Sequence, residues 1–396
     1  MHNRKRLLIL ILLFSVNTLL AQVIKPEFRG VWIATISNID WASTVSSDEQ
    51  KVAFIKLLEM HHRNGINAII MQIRPATDAF YASPYEPWSQ WLTGTQGLAP
   101  EPLYDPLEFM IEETHKRGME FHAWMNPYRA VFNTTTSSIT EDHITRIHPE
   151  WFINYGDQRF FDPGNKEVQQ YVIKIVRDVV KRYNVDAIHF DDYFYPYPIP
   201  QKEFPDYQSF KKYGNGLSRA DWRRANTDSI ICMAYHAIKE ENNKCQFGIS
   251  PFGVWRHKDR DAINGSATVA APSNYDDLFA DVLLWLKNGW LDYVAPQLYW
   301  EMGHKKVAYE VLVDWWSKHT YGKNCYIGIG LYRTGSNMAW RDKTQVPRQI
   351  EKLRATPNIQ GMVFYSSKTF ENNPYGISDT IRIKYFNVPA ALPKIN

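Results

Sequence analysis

Two adjacent carboxylates, Asp191 and Asp192, stand at the end of an apolar segment that begins at Ala187 and is followed by a cluster of tyrosines. Neighbouring side chains of a strand point to opposite faces, so a strand end can hold both acids near one cleft. Buried carboxylates cost free energy unless they are paired or take part in chemistry, and such a pair suits acid–base catalysis. The alternative is that one Asp caps the following turn and the other is solvated. The dipeptide alone does not decide between these roles.

Eight strand-like segments recur along the chain, and most are continuous apolar runs, as in parallel strands buried on both faces. They cover residues 28–36, 68–75, 120–126, 187–194, 246–252, 293–300, 325–332 and 360–366. Helical patterns lie between them, at residues 48–63, 106–116, 166–182, 219–240, 275–288, 307–319 and 347–355. Strands that alternate with helices in this way predict an α/β protein with a (β/α)8 TIM barrel fold.

The loop lengths indicate which end of this barrel carries the function. Connections from helix to strand are short, whereas the connections that leave the strands are long, at residues 76–105, 127–165, 195–218 and 253–274. Active sites of such barrels lie on the loops after the strands. We therefore expect long strand-to-helix loops to build the functional face at the C-terminal end of the barrel, where Asp191 and Asp192 stand.

The N-terminus resembles an export signal. Arg4, Lys5 and Arg6 precede an apolar stretch over residues 7–20, and Ala21 offers a small residue at a cleavage point. We predict a signal peptide at residues 1–21, the barrel at residues 22–387 and a loose C-terminal tail at residues 388–396. The mature chain is expected to be periplasmic or secreted, with no stable insertion into a membrane, because the apolar stretch is short and interrupted.

The net charge and the cysteine content argue against several classes of partner and cofactor. Residues 1–21 contain three of the 45 Lys and Arg and none of the 42 Asp and Glu, so their removal lowers the formal charge from +3 to zero. This balance argues against a nucleic-acid partner. The three cysteines have neither the number of a disulfide framework nor the spacing of a metal site. We expect no cofactor and no bound metal, and protein partners cannot be inferred.

The residues at the predicted strand ends and in the following loops mix carboxylates, amides, guanidinium groups and aromatic rings. Sugars present hydroxyls to polar groups and flat C–H faces to rings, so this mixture is typical of a glycan-binding cleft. The predicted substrate-binding residues are Arg74, Trp88, Trp124, Asn126, Tyr128, Arg129, His189, Tyr193, Trp255, Arg256, Gln297, Tyr299, Trp300 and Tyr332. Among these, His189 shares a strand face with Asp191 and is expected to hydrogen-bond to it.

Glycoside hydrolysis needs two carboxyl groups, one to protonate the leaving oxygen and one to act as nucleophile or base. Asp191 is the predicted nucleophile or base. Its partner is left open between Asp192, Glu301 after the sixth strand and Asp78 in the second loop.

Other chemistries lack their sequence signals. A strand that ends in Phe-Asp-Asp is also found in metal-dependent polysaccharide deacetylases, which add a His-x-x-x-His motif, but no two of the 12 histidines here are four residues apart. Neither a glycine-rich phosphate loop nor a Gly-x-Ser-x-Gly motif follows a strand.

Eight segments resemble the bacterial glycosyl-hydrolase-like 10 family. They are residues 28–32, 72–75 with Asp78, 122–129, 162–164, 190–195, 221–226, 250–256 and 295–300, in one order over residues 27–370. The resemblance implies a periplasmic or surface barrel glycosidase. A divisome-localised hydrolase of that family acts on peptidoglycan glycan strands stripped of their stem peptides, which makes such strands the implied substrate.

The first matched segment adds Arg29 and Trp32 to the expected substrate-binding residues. With peptidoglycan as substrate, Arg29, Arg74, Arg129 and Arg256 have two possible roles, since guanidinium groups bind carboxylates. They either meet the lactyl carboxylate of muramic acid or brace the acid pair. Two functional alternatives stay open: a catalytically inert glycan-binding barrel, and a glycosidase for a dietary or host polysaccharide.

Overall fold

The eight predicted strands form a closed parallel barrel. The computed structural model describes residues 25–395, so the predicted signal peptide lies outside the described residues. The barrel strands are Phe28–Ile33, Ala68–Arg74, Glu120–Met125, Ala187–Phe190, Gln246–Ile249, Tyr293–Val294 with Gln297–Leu298, Asn324–Ile329 and Gly361–Phe364. Barrel strands that follow one another in the sequence pair in parallel, and the first strand pairs with the eighth, which closes the barrel. The predicted (β/α)8 fold is confirmed.

The sixth barrel strand differs from its prediction. The sequence predicts one strand over residues 293–300, whereas the structure has two short pieces. Pro296 stands between them and has no amide hydrogen to donate, so the hydrogen-bond ladder is interrupted there. Both pieces still pair with the seventh strand, and the barrel stays closed.

Helices surround the barrel. The helices between its strands are Ser47–Arg63, Pro106–His115, Lys166–Arg182, Arg219–Glu241, Val282–Lys287, Tyr309–Lys318 and Gln345–Ala355, and Ser367–Asn372, Ile377–Thr380 and the π-helical Ile381–Tyr385 follow the eighth strand. Further helical segments in the loops are Ile36–Asn38, Gln90–Thr93, Ile144–Ile147, Pro149–Trp151, Tyr207–Tyr213, Leu331–Arg333, Met338–Arg341 and Pro374–Gly376. The fifth of the helices between strands is shorter than the predicted 275–288, because Phe279 has a left-handed backbone (φ 52°) and Asp281 caps the helix start. Within residues 25–395 no helix is long and apolar enough to cross a bilayer.

Two hydrophobic layers follow from the period of the strands. Along the first strand Val31 faces the helices, whereas Phe28 and Trp32 face the barrel interior. The interior is filled largely by aromatic rings. Glycine makes room for them, because a Cβ atom at Gly248 would lie 2.0 Å from the ring of Tyr293.

The long loop after the third strand contains a small sheet that the sequence does not predict. Its three antiparallel strands are Arg129–Val131, Phe152–Tyr155 and Gln158–Phe161. The last two are joined by a tight turn in which Gly156 has a left-handed backbone (φ 69°), as hairpin turns require. The sheet orders the loop that carries Arg129.

The predicted loose tail covers residues 388–396, of which residue 396 lies outside the described residues, and residues 388–395 are instead bound across the N-terminal end of the barrel. The carbonyl of Val388 accepts a hydrogen bond from the Arg29 side chain at 2.8 Å, and the carbonyl of Ala391 accepts one from the backbone N–H of Glu27 at 2.9 Å. The tail is ordered because hydrogen-bond donors lie where the strands begin, at the N-terminal end of the barrel. The short loops at that end leave these donors uncovered.

Candidate active site

A cavity of about 240 Å³ opens at the C-terminal end of the barrel. Every barrel strand end except the second contributes to its walls. The lining residues are Trp32, Trp124, Asp191, Asp192, Tyr193, Tyr197, Ser250, Gln297, Tyr299, Tyr332 and Tyr365. The structure thus brings the two adjacent acids together with six of the predicted substrate-binding residues. Within the described part of the chain, no three His, Cys, Asp or Glu side chains are grouped so that they could hold a metal ion.

Asp191 directly follows the fourth strand, and three donors fix its carboxylate. The Nδ2 atom of Asn126 donates to Oδ2 at 2.9 Å, and the Nε1 atom of Trp124 donates to the same oxygen at 3.1 Å. The backbone N–H of Tyr193 donates to Oδ1 at 3.3 Å. Asn126 is itself oriented, because its Oδ1 atom accepts the backbone N–H of Arg129 at 2.7 Å.

Asp192 also lies in the cavity and is buried. The hydroxyl of Tyr197 donates a hydrogen bond to its Oδ2 atom, and the side chain of Gln297 contacts it as well. Burial and the negative charge of Asp191 raise the pKa of Asp192 to about 6.

The two carboxyl groups therefore have different surroundings. Burial raises the pKa of Asp191 too, but the positive charge of Arg129 and the donors Asn126 and Trp124 oppose that rise. Asp192 instead faces a negative neighbour. These surroundings disfavour the charge of Asp192 more than that of Asp191, and two carboxyls with such different surroundings can divide the acid and base roles.

His189 does not contact Asp191, contrary to the prediction. Its Nδ1 atom lies 2.9 Å from the hydroxyl of Tyr293, and its Nε2 atom lies 2.9 Å from the hydroxyl of Ser250. Burial holds the pKa of His189 well below its usual range, so the ring is neutral. It points into the barrel below the cavity, and Trp124 and Asn126 take the place expected for it beside Asp191.

Three of the four predicted arginines are paired away from the cavity. Arg29 binds Glu27 at 2.7 Å, Arg74 binds Glu86 at 2.6 Å, and Arg256 binds Asp276 at 2.9 Å. Arg29 lies at the opposite end of the barrel, because it is the second residue of its strand. Arg74 also donates to the backbone carbonyl of Asn126, so it braces the segment that holds Asp191.

Arg129 is the predicted arginine that lies close to the acid pair. Its guanidinium carbon is 4.5 Å from the centre of the Tyr193 ring, and its charge opposes the rise in the pKa of Asp191. Of the two roles expected for the arginines, these contacts fit bracing of the acid pair.

The two remote candidates for the second carboxyl do not line the cavity. Asp78 is buried under the second loop, where it accepts the backbone N–H of Ala76 at 3.3 Å, and burial raises its pKa to about 7. Glu301 accepts a hydrogen bond from Nε1 of Trp340 at 3.1 Å. Asp192 is thus the candidate partner that shares the cavity with Asp191.

Four predicted substrate-binding aromatic residues pack against the core instead of lining the cavity. They are Trp88, Tyr128, Trp255 and Trp300. The ring of Trp255, for example, stacks on Trp315 with centroids 6.0 Å apart. Long loops leave space between themselves and the barrel, and large rings fill it.

Three lining residues were not among the predicted site residues: Tyr197, Ser250 and Tyr365. Ser250 and Tyr365 directly follow barrel strands, so their position at a strand end is a usable signal. Tyr197 lies further along the loop, and only the tyrosine cluster after Asp192 points to it.

The fold and the cavity with its acid pair are compatible with a glycoside hydrolase, and a solved structure has the same fold. The glycoside hydrolase domain of PgaB (BpsB) from Bordetella bronchiseptica matches with a TM-score of 0.56 over 91% of this chain and 100% of that domain. The sequence identity is 14%, so this likeness shows the fold alone.

The chain belongs to the glycosyl hydrolase-like 10 family, whose model matches residues 27–347. It is 45% identical to glycosyl hydrolase YngK of Bacillus subtilis (strain 168) over 378 residues, 93% of this chain and 74% of that protein. It is 39% identical to glycosyl hydrolase DigH of Escherichia coli (strain K12) over 366 residues, 85% of this chain and 82% of that protein. The expected family is confirmed, and the protein is a glycoside hydrolase.

Proposed function

We propose that this glycoside hydrolase is exported and cleaves the glycan strands of peptidoglycan, with Asp192 as the general acid and Asp191 as its charged partner. The observation that carries the proposal is that both carboxyl groups lie in one cavity walled by aromatic and amide side chains. Asp78 and Glu301 have no part in this assignment, because neither lines that cavity.

The acid role of Asp192 follows from its surroundings. The leaving oxygen of a glycoside must receive a proton as its bond to the sugar breaks. Asp192 keeps a proton up to about pH 6, because burial and the charge of Asp191 disfavour its ionised form. Asp191, held by Trp124 and Asn126, stays ionised and faces the positive charge that develops on the sugar ring.

The walls of the cavity suit a polysaccharide. Trp32, Trp124 and Tyr299 line it with apolar ring atoms that suit the C–H groups of sugars, while Gln297 and Ser250 suit their hydroxyl groups. The matched family segments favour peptidoglycan strands stripped of stem peptides. The export pattern at residues 1–21 supports the same substrate, because it would carry the enzyme to the cell wall.

The test incubates the chain from Gln22 onward with denuded and with peptide-bearing glycan strands and measures new reducing ends. We expect cleavage of denuded strands by the wild type and loss of that cleavage in Asp191→Asn, which removes the charge at nearly constant size. Asp228→Asn is the matched control, because Asp228 also accepts an indole N–H, from Trp285 at 2.6 Å, but lies outside the cavity. It should cleave at the wild-type rate.

Other outcomes contradict separate parts of the proposal. Unchanged turnover in Asp191→Asn would show that Asp191 is not the charged partner of the general acid. Cleavage of a dietary or host polysaccharide in preference to denuded strands would show that peptidoglycan is not the substrate. Binding without cleavage of any glycan would favour an inert glycan-binding barrel. Export is checked by N-terminal sequencing of the protein recovered outside the cytoplasm, which should begin at Gln22.

A further inference from the structure

Among the described residues, the carboxylates that line the cavity are Asp191 and Asp192, and both lie on the wall formed by the fourth strand. Asp191 and Asp192 are consecutive residues, so their Cα atoms are about 3.8 Å apart and both side chains leave from one strand end. The first and eighth strands lie across the barrel from the fourth and contribute the rings of Trp32 and Tyr365. Two-carboxylate glycosidases instead place their acids on opposite sides of the breaking bond.

The hydrogen bonds of Asp191 suit a supporting role better than attack on the sugar carbon. A carboxylate has about four lone-pair sites, and three donors fix the two oxygens of Asp191 in place. The same contacts would suit a different task, because a carboxylate fixed by Trp124, Asn126 and the Tyr193 N–H is preorganised to accept one more hydrogen bond from the substrate.

We infer that the nucleophile is supplied by the substrate: the enzyme acts on β-linked 2-acetamido sugars, and the acetamido carbonyl oxygen attacks C1 while Asp191 holds the acetamido N–H. This inference rests on the proposed function and specifies its substrate class. Glycosidases assisted by their substrate in this way are an established exception to the two-carboxylate scheme. Both sugars of peptidoglycan strands carry the required group.

The two steps balance with these two side chains and water. In the first, Asp192 gives its proton to the leaving oxygen as the C1–O bond breaks, and the acetamido oxygen forms a new bond to C1. The resulting bicyclic cation is held by the charge of Asp191. In the second, Asp192 takes a proton from water as the water oxygen bonds to C1, and the bond from C1 to the acetamido oxygen breaks. Both side chains regain their starting protonation states, and the configuration at C1 is retained.

The aromatic wall fits the methyl end of an acetamido group. The ring of Trp32 lies 6.4 Å from that of Tyr299 and 6.2 Å from that of Tyr365, and the two tyrosine rings are 5.8 Å apart. Three rings in mutual contact form an apolar surface, and Nε1 of Trp32 is turned to His189 at 3.4 Å. Such a surface excludes water from the methyl side of the cyclic intermediate.

The test compares two 4-nitrophenyl β-glycosides of an N-acetylglucosamine disaccharide, which carry an acetamido or a trifluoroacetamido group on the cleaved sugar. Fluorine makes the carbonyl oxygen a weaker nucleophile, so kcat/KM should fall on the order of 100-fold, the scale of a lost transition-state interaction. The thiazoline analogue of N-acetylglucosamine, which mimics the cyclic intermediate, should inhibit competitively. Its inhibition constant should rise at least about tenfold in Asp191→Asn, where the charge that holds the cation is lost, and stay unchanged in Asp228→Asn.

The outcomes separate this inference from the proposed function. Equal turnover of the two glycosides, or capture of a sugar ester on Asp191 by a 2-fluoro glycoside, would overturn substrate assistance while cleavage of denuded strands still stands. Failure to cleave denuded strands, together with the expected fluorine effect and thiazoline inhibition, would overturn peptidoglycan as the substrate and leave the acetamido mechanism in place.

Discussion

The acidic side chains at the N-terminal end of the barrel and the acid pair at its C-terminal end have opposite surroundings. At the N-terminal end, Glu27 binds Arg29 at 2.7 Å and Arg354 at 2.8 Å. Asp292, just before the sixth strand, binds Lys239 at 2.7 Å and also accepts a backbone N–H. Burial raises the pKa of Glu27, but its two arginines lower it further, so its net shift is downward. Charge-assisted hydrogen bonds replace the water that these acids lose.

At the C-terminal end, two neighbouring acids are buried without such partners. Among the described residues neither Asp191 nor Asp192 has a cationic nitrogen within 4.0 Å, and both pKa values are raised. The charged forms are therefore less stable in the folded protein than in water. The paired acids of the N-terminal end thus contribute to stability, whereas Asp191 and Asp192 are kept in an unfavourable state that chemistry can use.

The largest expected effect is on catalysis, from Asp192→Asn at the C-terminal end. Without a proton donor, kcat/KM on glycan strands, which reports the step that breaks the glycosidic bond, should fall about 10²–10⁴-fold. The loss should be much smaller on a 4-nitrophenyl glycoside, because that leaving group departs without protonation. Steady-state kinetics on both substrates check this prediction, and equal losses would show that Asp192 is not the general acid.

At the N-terminal end, Glu27→Gln should reduce stability and leave kcat unchanged. The variant leaves Arg29 and Arg354 without their carboxylate, which should lower the free energy of unfolding by about 1–3 kcal/mol at pH 7. The pKa of Glu27 is lowered in the fold, so this contribution is present above its unfolded value and disappears as the pH falls through the folded value. Denaturant unfolding at several pH values measures it, and a loss that persists in strong acid would contradict this account.

Asp192→Asn should raise the stability of the protein, whereas Glu27→Gln lowers it. Folding raises the pKa of Asp192 from 3.8 to about 6, so the native charge costs stability above about pH 6 and costs nothing below the unfolded value. We expect the variant to gain roughly 1–2 kcal/mol at pH 7, since one pKa unit corresponds to about 1.4 kcal/mol and part of the gain is offset by a weaker contact to Tyr197. Thermal unfolding at pH 7 and at pH 3.5 should show the gain only at the higher pH. Equal stability at pH 7 would mean that the acid pair is not destabilising.

The smallest expected effect is a shift of the pH profile in Tyr197→Phe. Activity should fall below the optimum as Asp191 gains a proton, and above about pH 6 as Asp192 loses one, the two groups titrating as a coupled pair. The Tyr197 hydroxyl favours the ionised form of Asp192, so its removal should move the basic limb to higher pH. The rate at the optimum should change less than about fivefold, since one hydrogen bond contributes about 1 kcal/mol. If the basic limb stays at the same pH in Tyr197→Phe, the ionisation of Asp192 does not cause that limb.

The sequence alone was enough to place the eight strands, the orientation of the barrel and the acid pair at its functional end. These properties depend on local patterns: apolar runs for buried strands, Asp105 as the cap of a helix, and loop lengths that differ between the two ends. The prediction was wrong where a local signal was missing, as at the bound C-terminal segment and the small sheet after the third strand.

The partners of the acids were decided only by the tertiary structure. Trp124 and Asn126 reach Asp191 from a neighbouring strand, and the sequence had assigned this place to His189. Glu301 and Asp78 stand near strand ends in sequence, yet their side chains turn to Trp340 and to the second loop. The period of a strand determines which face a residue occupies, whereas its contacts depend on distant strands that closure of the barrel brings together. For that reason the acid pair could be read from the sequence, and the division of roles within it could not.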